Sequence, residues 1–413
     1  MSRPEHGAGP SGAWRDALAT LALVAAWLAA TAWLRPLMVP DEGRYAGVAW
    51  EMVRSGDWLT PTLNGLPFFH KPPLFYWLSG AALSLFGLVE IAGRAASLCG
   101  ATLGSMALYL FTRHWCGQAA ARRTLWVLLL QPLLFVGGQF ANLDMLVAGC
   151  ITATVLALAH AALRFEQGQP HRRALWLGYA LAGLGVLAKG LIGFVIPALT
   201  LGLWLLLRWR WRTLWALLSL PGVAIFLLVA APWYVAMQMR FDDFLHYFFV
   251  VQHFQRFSVG GFNNVMPVWF YPAVLALLSL PSLVWCPHLL DRGYWAGAFG
   301  PRATQQGAVR LLMLVAVGSV LLFFSIPKSK LVGYVLPAVA PLAWLLADAS
   351  QRLATTPGRR RAWAGSVASG GLLALAVVGW LTLHQDYSLR GLGQTLRAEH
   401  QADGDEPVYM LEE

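Results

Sequence analysis

Apolar runs close to 20 residues long recur from one end of this 413-residue chain to the other. Wound as a helix rising about 1.5 Å per residue, such a run matches the ~30 Å hydrocarbon core of a bilayer. No water reaches that core to satisfy backbone N–H and C=O groups, so a spanning segment must be a helix or part of a closed barrel. The two-residue alternation of barrel strands is absent, which leaves helices. Hydrophobic residues make up 58% of the chain and charged residues 12%, as an all-α integral membrane fold requires. A string of soluble domains is excluded.

The net charge of +10 would raise nucleic acid as a partner for a soluble protein. Here the arginines gather between alternate apolar runs, which is the positive-inside signature of a membrane protein, and no nucleic acid is expected. Cys99, Cys116, Cys150 and Cys286 are scattered, without metal-binding or disulfide spacing. Residues 1–14 are polar and rich in Gly and Pro and read as a cytoplasmic tail. The first apolar run, from Ala17 to Leu34, is long for a signal peptide and many spans follow, so it is expected to stay as the first helix.

Hydropathy places spans near 16–35, 94–113, 123–140, 144–163, 174–189, 190–207, 213–235, 268–289, 307–326, 331–350 and 362–383. Residues 73–87 are ambiguous: apolar but short, opened by Pro72-Pro73, closed by Gly87, with Tyr76 and Trp77 as anchors. Charge decides between a span and a helix lying in the interface. If 73–87 does not cross, one class of loops holds Arg113, Arg122 and Arg123, then Arg164, Arg172 and Arg173, then Arg208, Arg210 and Arg212, then Arg292 and Arg302, then Arg352, Arg359, Arg360 and Arg361. The other class holds Asp41, Glu42, Asp144, Lys189, Lys328 and Lys330. That bias fits about eleven transmembrane helices in a domain over 15–383, with interfacial helices in a first outer loop over 36–93. A second long outer loop covers 236–267 and a short outer tail 384–413.

The chain holds four lysines, Lys71, Lys189, Lys328 and Lys330, and all fall at helix ends on the expected outer face. Singly, each reads as a snorkelling anchor. Together with Arg44 and Arg256 they suggest a site for a phosphate at headgroup depth. Pro40-Asp41-Glu42-Gly43-Arg44-Tyr45 follows the first span on the same face. Its carboxylates could be solvated charges at a helix N-terminus or the polar heart of an active site. Asp144 begins another span at the outer boundary, where an acid is costly unless paired or functional. Asp41 and Asp144 could therefore converge, one taking a proton and the other orienting a hydroxyl. His70, His253 and Glu42 are candidate ligands for a divalent metal ion, although no close spacing joins them. Tyr334 follows the Lys328/Lys330 turn and could donate a hydrogen bond.

The motifs PDEGRYA, SGDWLTPTLNG, HKPPLFYW, NLDM, LAKG, QHFQRF and KSKLVGYVLP resemble, in order and spacing, the bacterial membrane glycosyltransferases of the aminoarabinose–lipid A transferase and protein O-mannosyltransferase group. The resemblance runs from about residue 35 to 345 and implies the GT-C helical fold. It further implies a sugar donor on a polyprenyl phosphate, transfer at the periplasmic face of the bacterial inner membrane, and a lipid A, glycolipid or protein acceptor. Asp41 matches the essential acid of the first outer loop and Asp144 the second outer acid. Arg44, Tyr45, Lys71, Lys189, Arg256, Lys330 and Tyr334 are the expected donor-phosphate residues. His253 matches a histidine that binds a metal in some members together with a glutamate before the KP motif; here His70 stands in that glutamate's place. The alternative is a non-enzymatic transporter or flippase of polyprenyl-linked sugars, which would also need basic groups around a polar cavity.

Overall fold

The computed structural model describes residues 10–255, 264–351, 356–384 and 387–398. Its helices are α1 (Pro10–Ala29), α2 (Asp41–Ser55), α3 (Leu74–Phe86), α4 (Glu90–Gly93), α5 (Ala95–Cys116), α6 (Gln118–Leu129) and α7 (Pro132–Gly138). They continue with α8 (Leu143–Glu166), α9 (Arg172–Lys189), α10 (Ile192–Leu207), α11 (Trp211–Leu217) and α12 (Leu220–Arg240). After a π-helical turn over His246–Gln255 come α13 (Phe270–Leu278), α14 (Leu280–Leu283) and α15 (Gln305–Ser325). A 3-10 turn (Val332–Ala338) leads into α16 (Val339–Gln351), followed by α17 (Pro357–Leu383) and α18 (Arg390–Ala398). A two-residue hairpin, Thr62–Leu63 with Leu66–Pro67, is the sheet among the described residues.

Among the described residues six stretches are long and apolar enough to cross a membrane: α5, α8, α12, α15, Val332–Gln351 and α17. The pair α6 and α7 passes as a seventh only when joined, because the two are bent by 68°. The expected count of eleven continuous spans is therefore not what the helices display. Pro132 has no N–H to carry the ladder across from α6, so the run expected over 123–140 breaks there. Trp27 satisfies one carbonyl freed by the break, donating its indole N–H to Leu129 O at 2.9 Å. The stretch expected over 268–289 is likewise interrupted, at Ser279 before Pro281 and again before Pro287, and yields α13, α14 and a 3-10 turn. The 13-residue α3 is too short to span at ~1.5 Å per residue and packs on α2 and α5, as an interfacial helix would.

The core is built on α8, whose neighbours are α5, α9 and α10. With lipid on the outside, apolar side chains gain little by leaving it, so close packing must hold the helices together. Small residues make that possible where α5 crosses α8. A Cβ on Gly100 would lie 2.4 Å from Leu146 Cα, and one on Gly149 would lie 2.0 Å from Gly100 O. The two backbones touch, and no larger residue fits at either position. At the end of the bundle that holds the arginine-rich loops, the arginines have found acids. Asp16 pairs with Arg113 at 2.9 Å and Arg122 at 3.1 Å, Glu166 with Arg208 at 2.7 Å, and Asp348 with Arg310 at 2.7 Å.

Candidate active site at one end of the bundle

Helix α8 begins at the opposite end. Asn142 caps it, its side-chain oxygen accepting from Asp144 N at 2.8 Å. Such a cap contributes about 1 kcal/mol and fixes the first turn. Ser97 on α5 fixes the residue before the helix by a reciprocal pair: its hydroxyl donates to Asn142 O (3.0 Å) and accepts from Asn142 N (3.2 Å). Asp144 in that first turn is 5% exposed. Helix α9 returns antiparallel and ends on Lys189, which forms an ion pair with Asp144. The Lys189 ammonium also lies 4.3 Å from the centroid of the Tyr334 ring, a cation–π contact. Gly333 leaves room for this assembly, since a Cβ there would stand 2.3 Å from Asp144 Oδ2. Three residues from three distant stretches thus form one unit, in which Asp144 is paired with Lys189, whereas Asp41, the partner expected for Asp144, pairs with Arg44.

The turn carrying Asp41 is built around Glu42, not Asp41. Glu42 is fully buried. Its Oε1 accepts from Arg35 (3.2 Å), Arg94 Nε (2.8 Å) and Ala141 N (2.8 Å). Its Oε2 accepts from Arg35 Nη1, Arg94 Nη2 (3.0 Å) and Met38 N (3.1 Å). Burial alone would raise this carboxyl; the Arg94 and Arg35 guanidiniums outweigh it, and the net shift is downward. Six donors leave no lone pair for a metal, which corrects the expectation that Glu42 could act as a ligand. Of the other two proposed ligands, His70 Nε2 lies 3.2 Å from the Tyr247 hydroxyl, and the His253 side chain lies outside the described residues. No group of three or more metal-ligating side chains occurs among the described residues.

Asp41 and Arg44, in the first turn of α2, have side chains 41% and 39% exposed and 3.4 Å apart. They can meet a ligand, whereas Glu42 cannot. Tyr45 packs inward, its ring 5.8 Å from that of Phe75 and 6.4 Å from that of Tyr76. Lys71 is half-buried on the loop before α3. That loop is tied to the top of α12 and the chain beyond it through Phe69, whose ring lies 4.7 Å from that of Phe241 and 5.6 Å from that of Phe244. Trp233 Nε1 to Leu59 O (2.9 Å) and Arg240 to Asp57 (2.7 Å) add polar ties.

Lys330 requires a correction. It is 3% exposed, and its ammonium donates to Met266 O at 3.0 Å and to Pro327 O. It joins the 264–267 loop to the 327–330 turn instead of facing a ligand, while its neighbour Lys328 is exposed. Arg256 lies outside the described residues. The sequence reading missed Arg35 and Arg94 altogether. Both sit at the edges of apolar runs on the face otherwise poor in arginine, and a guanidinium there needs a buried acid. That requirement was the available signal.

A bundle of candidate membrane-spanning helices with an acid-bearing loop at one end is the architecture this protein shares with the GT-C class of membrane protein. Comparison with known proteins narrows the class. Residues 70–235 match the family described as dolichyl-phosphate-mannose-protein mannosyltransferase. An undecaprenyl phosphate-alpha-4-amino-4-deoxy-L-arabinose arabinosyl transferase of Sodalis glossinidius is 40% identical over 76% of this chain and 55% of its own length. The crystal structure of apo ArnT from Cupriavidus metallidurans superposes with a TM-score of 0.72 at 30% identity, covering 90% of this chain and 65% of that one. The same protein bound to undecaprenyl phosphate gives 0.73 at 28% identity, covering 96% and 73%. The chain is thus similar to a group of polytopic GT-C proteins, the aminoarabinose transferases and protein mannosyltransferases. It spans 55% of the Sodalis relative and 64% of the Aeromonas salmonicida one.

Proposed function

We propose that this protein transfers a sugar, of the 4-amino-4-deoxy-arabinose type, from undecaprenyl phosphate to a phosphorylated glycolipid of the lipid A class at the periplasmic face of the inner membrane. The carrying observation is the Asp144–Lys189–Tyr334 unit; the Asp41–Arg44 pair is a second polar group, half-exposed at the start of α2. The donor class is supported by the names of the relatives and by the likeness to ArnT bound to undecaprenyl phosphate.

Asp144 and the Tyr334 ring hold the Lys189 ammonium in place. A lysine so held stabilises the negative charge that grows on the carrier phosphate as the bond from anomeric carbon to phosphate oxygen breaks. The electron pair of that bond leaves with the polyprenyl phosphate. The acceptor oxygen forms the new bond from the opposite side, so inversion is expected. Asp41 orients the acceptor and takes its proton where it is a hydroxyl; a phosphate acceptor is already anionic and needs only orientation. Arg44, Lys71 and Arg256 complete the basic lining in this proposal. No step runs through a metal ion. The polar groups gather at one end of the bundle, not at mid-depth where a transporter holds its site, which supports the transferase over a flippase.

The test is transfer by the purified full-length protein. Undecaprenyl phosphate-linked aminoarabinose and lipid A are supplied, and mass spectrometry reads modified lipid A, with Asp41→Asn as the control. Transfer by the parent and not by the variant supports the reading. Equal transfer by both, or unchanged cellular lipid A, glycolipids and glycoproteins on deleting the gene, overturns it.

A further inference from the structure

We propose that the segment after the last long helix, residues 387–398, positions the Asp41 turn, with Arg390 as its anchoring residue. The idea rests on the transferase reading only for what the turn does, not for how it is held.

The turn gives little support to itself. Pro40, which precedes α2, offers no side-chain cap, so nothing local fixes the direction in which the helix starts. Its backbone donors are met from three sides. Glu42 N and Gly43 N donate to Met38 O at 3.0 and 3.2 Å, and Arg44 N to Pro40 O at 3.1 Å. Met38 N turns inward to the Glu42 carboxylate. Val39 N turns outward and donates to Tyr387 O at 2.7 Å, a contact between residues nearly 350 apart in sequence. A second contact lies three residues further on. Arg390, the first residue of α18, forms an ion pair with Glu90, the first residue of α4. Four residues after Glu90 stands Arg94, which grips Glu42 from inside. The segment therefore touches the first outer loop twice, once just before Asp41 and once just before the buried clamp.

Helix α17 makes these contacts informative. It is 27 residues long, yet its described buried residues are few: Val367, Gly370, Gly371, Ala374 and Val378. One narrow side of α17 packs on the bundle and the rest faces outward, so its trailing segment meets the turn through its own contacts. The two polar contacts define the docking. Val39 is held from outside and Glu42 from inside, and Asp41 is aimed between them. Arg390 is a positioning residue in this account and touches no substrate.

The experiment has two readouts on the full-length protein. In a background with Cys99, Cys116, Cys150 and Cys286 replaced by serine, the pair Val39→Cys and Tyr387→Cys is expected to cross-link under mild oxidation, since residues joined by a backbone hydrogen bond lie within disulfide range. Arg390→Glu is expected to lower the cross-linking yield. It is also expected to lower kcat by about tenfold while KM for the polyprenyl donor changes by less than about twofold, the pattern of a misaimed group and not of lost binding. The swap Arg390→Glu with Glu90→Arg restores both. Failure to cross-link in protein that still binds undecaprenyl phosphate overturns the proposal, and so does wild-type kcat in Arg390→Glu. Should the parent protein show no transfer at all, the functional reading fails while cross-linking, and its loss and rescue by the charge swap, still decide the docking.

Discussion

Replacing Glu42 with Gln tests whether the first outer loop is held from within. The substitution keeps the shape and removes the charge. The carboxylate receives six hydrogen bonds, three at each oxygen. An amide presents one oxygen and one NH2, so the three donors at one position would face another donor. Each buried donor left unmet costs about 1–3 kcal/mol, and stripping the partner from a buried ion pair about 3–5 kcal/mol. These overlap, because the unmet donors are largely the guanidinium N–H groups themselves, so ~4 kcal/mol is expected. At about 1.4 kcal/mol per tenfold, the detached turn gains roughly a thousandfold in relative population. Limited proteolysis and thiol labelling of an Ala49→Cys reporter on the buried side of α2, in detergent, read that population directly. The pH dependence follows from the depressed carboxyl of Glu42. Its stabilisation is fully present above the ordinary glutamate pKa of about 4.3 and is lost only as pH falls through the lower folded value. Loosening of the parent turn is thus expected in acid below about pH 4, and Glu42→Gln should already be loose at neutral pH. A Glu42→Gln protein that labels and cleaves like the parent at pH 7 would refute the reasoning.

Lys189→Met should lower the transfer rate by about 10²–10³, the usual effect of losing one preorganised charge-stabilising donor. Pairing it with Asp144→Asn should recover thermal stability without recovering rate; recovered rate would remove Lys189 from the chemistry. Gly333→Ala should cost activity nearly as severely, because the new Cβ meets Asp144 Oδ2 at 2.3 Å and must push it from Lys189; normal kcat would show that the carboxylate has room to give. Lys330→Met should weaken the tie between two outer loops more than donor affinity, since its ammonium is committed to carbonyls; a rise in KM alone would return Lys330 to the phosphate site. Thiol reagents that do not cross the membrane should label Asp41→Cys and Arg360→Cys from opposite sides; labelling of both from one side would sink the expected topology.

Much of this was legible in the order of residues, for physical reasons that differ by element. Hydropathy revealed α8, α15 and α17 because nothing interrupts them. It overran α6 and α7 because a window average cannot register one missing N–H at Pro132. The pairing of Asp144 with Lys189 was foreseeable only as a shared face, since 45 residues and one helical hairpin separate the partners. Glu42 was misjudged although the pattern held the answer. Glu42, Tyr45, Ala46, Val48, Ala49 and Met52 form one broad buried face on α2 at helical spacing; Asp41 shares the sector of Tyr45, Val48 and Met52 and is half-exposed at the helix start, so the pattern marks Glu42 as buried without marking Asp41 as exposed. The acids Asp16, Glu166 and Asp348, which neutralise inner arginines, were invisible to a reading of those loops that weighed the excess of positive charge.

The contact between Gly100 and Gly149 has a mechanical consequence. With a carbonyl of one helix seated against the α-carbon of the other, neither α5 nor α8 can slip along its neighbour by even a fraction of a turn without a collision. Asp144 at the head of α8 and Ser97 near the head of α5 thus keep a fixed height in the membrane, like marks on one ruler. In the proposed transfer, accommodation of a bulkier headgroup or of a long isoprenoid then falls to the parts that lean on this axis from outside: the loop before α3, the π-helical turn after α12 and the trailing segment beyond α17.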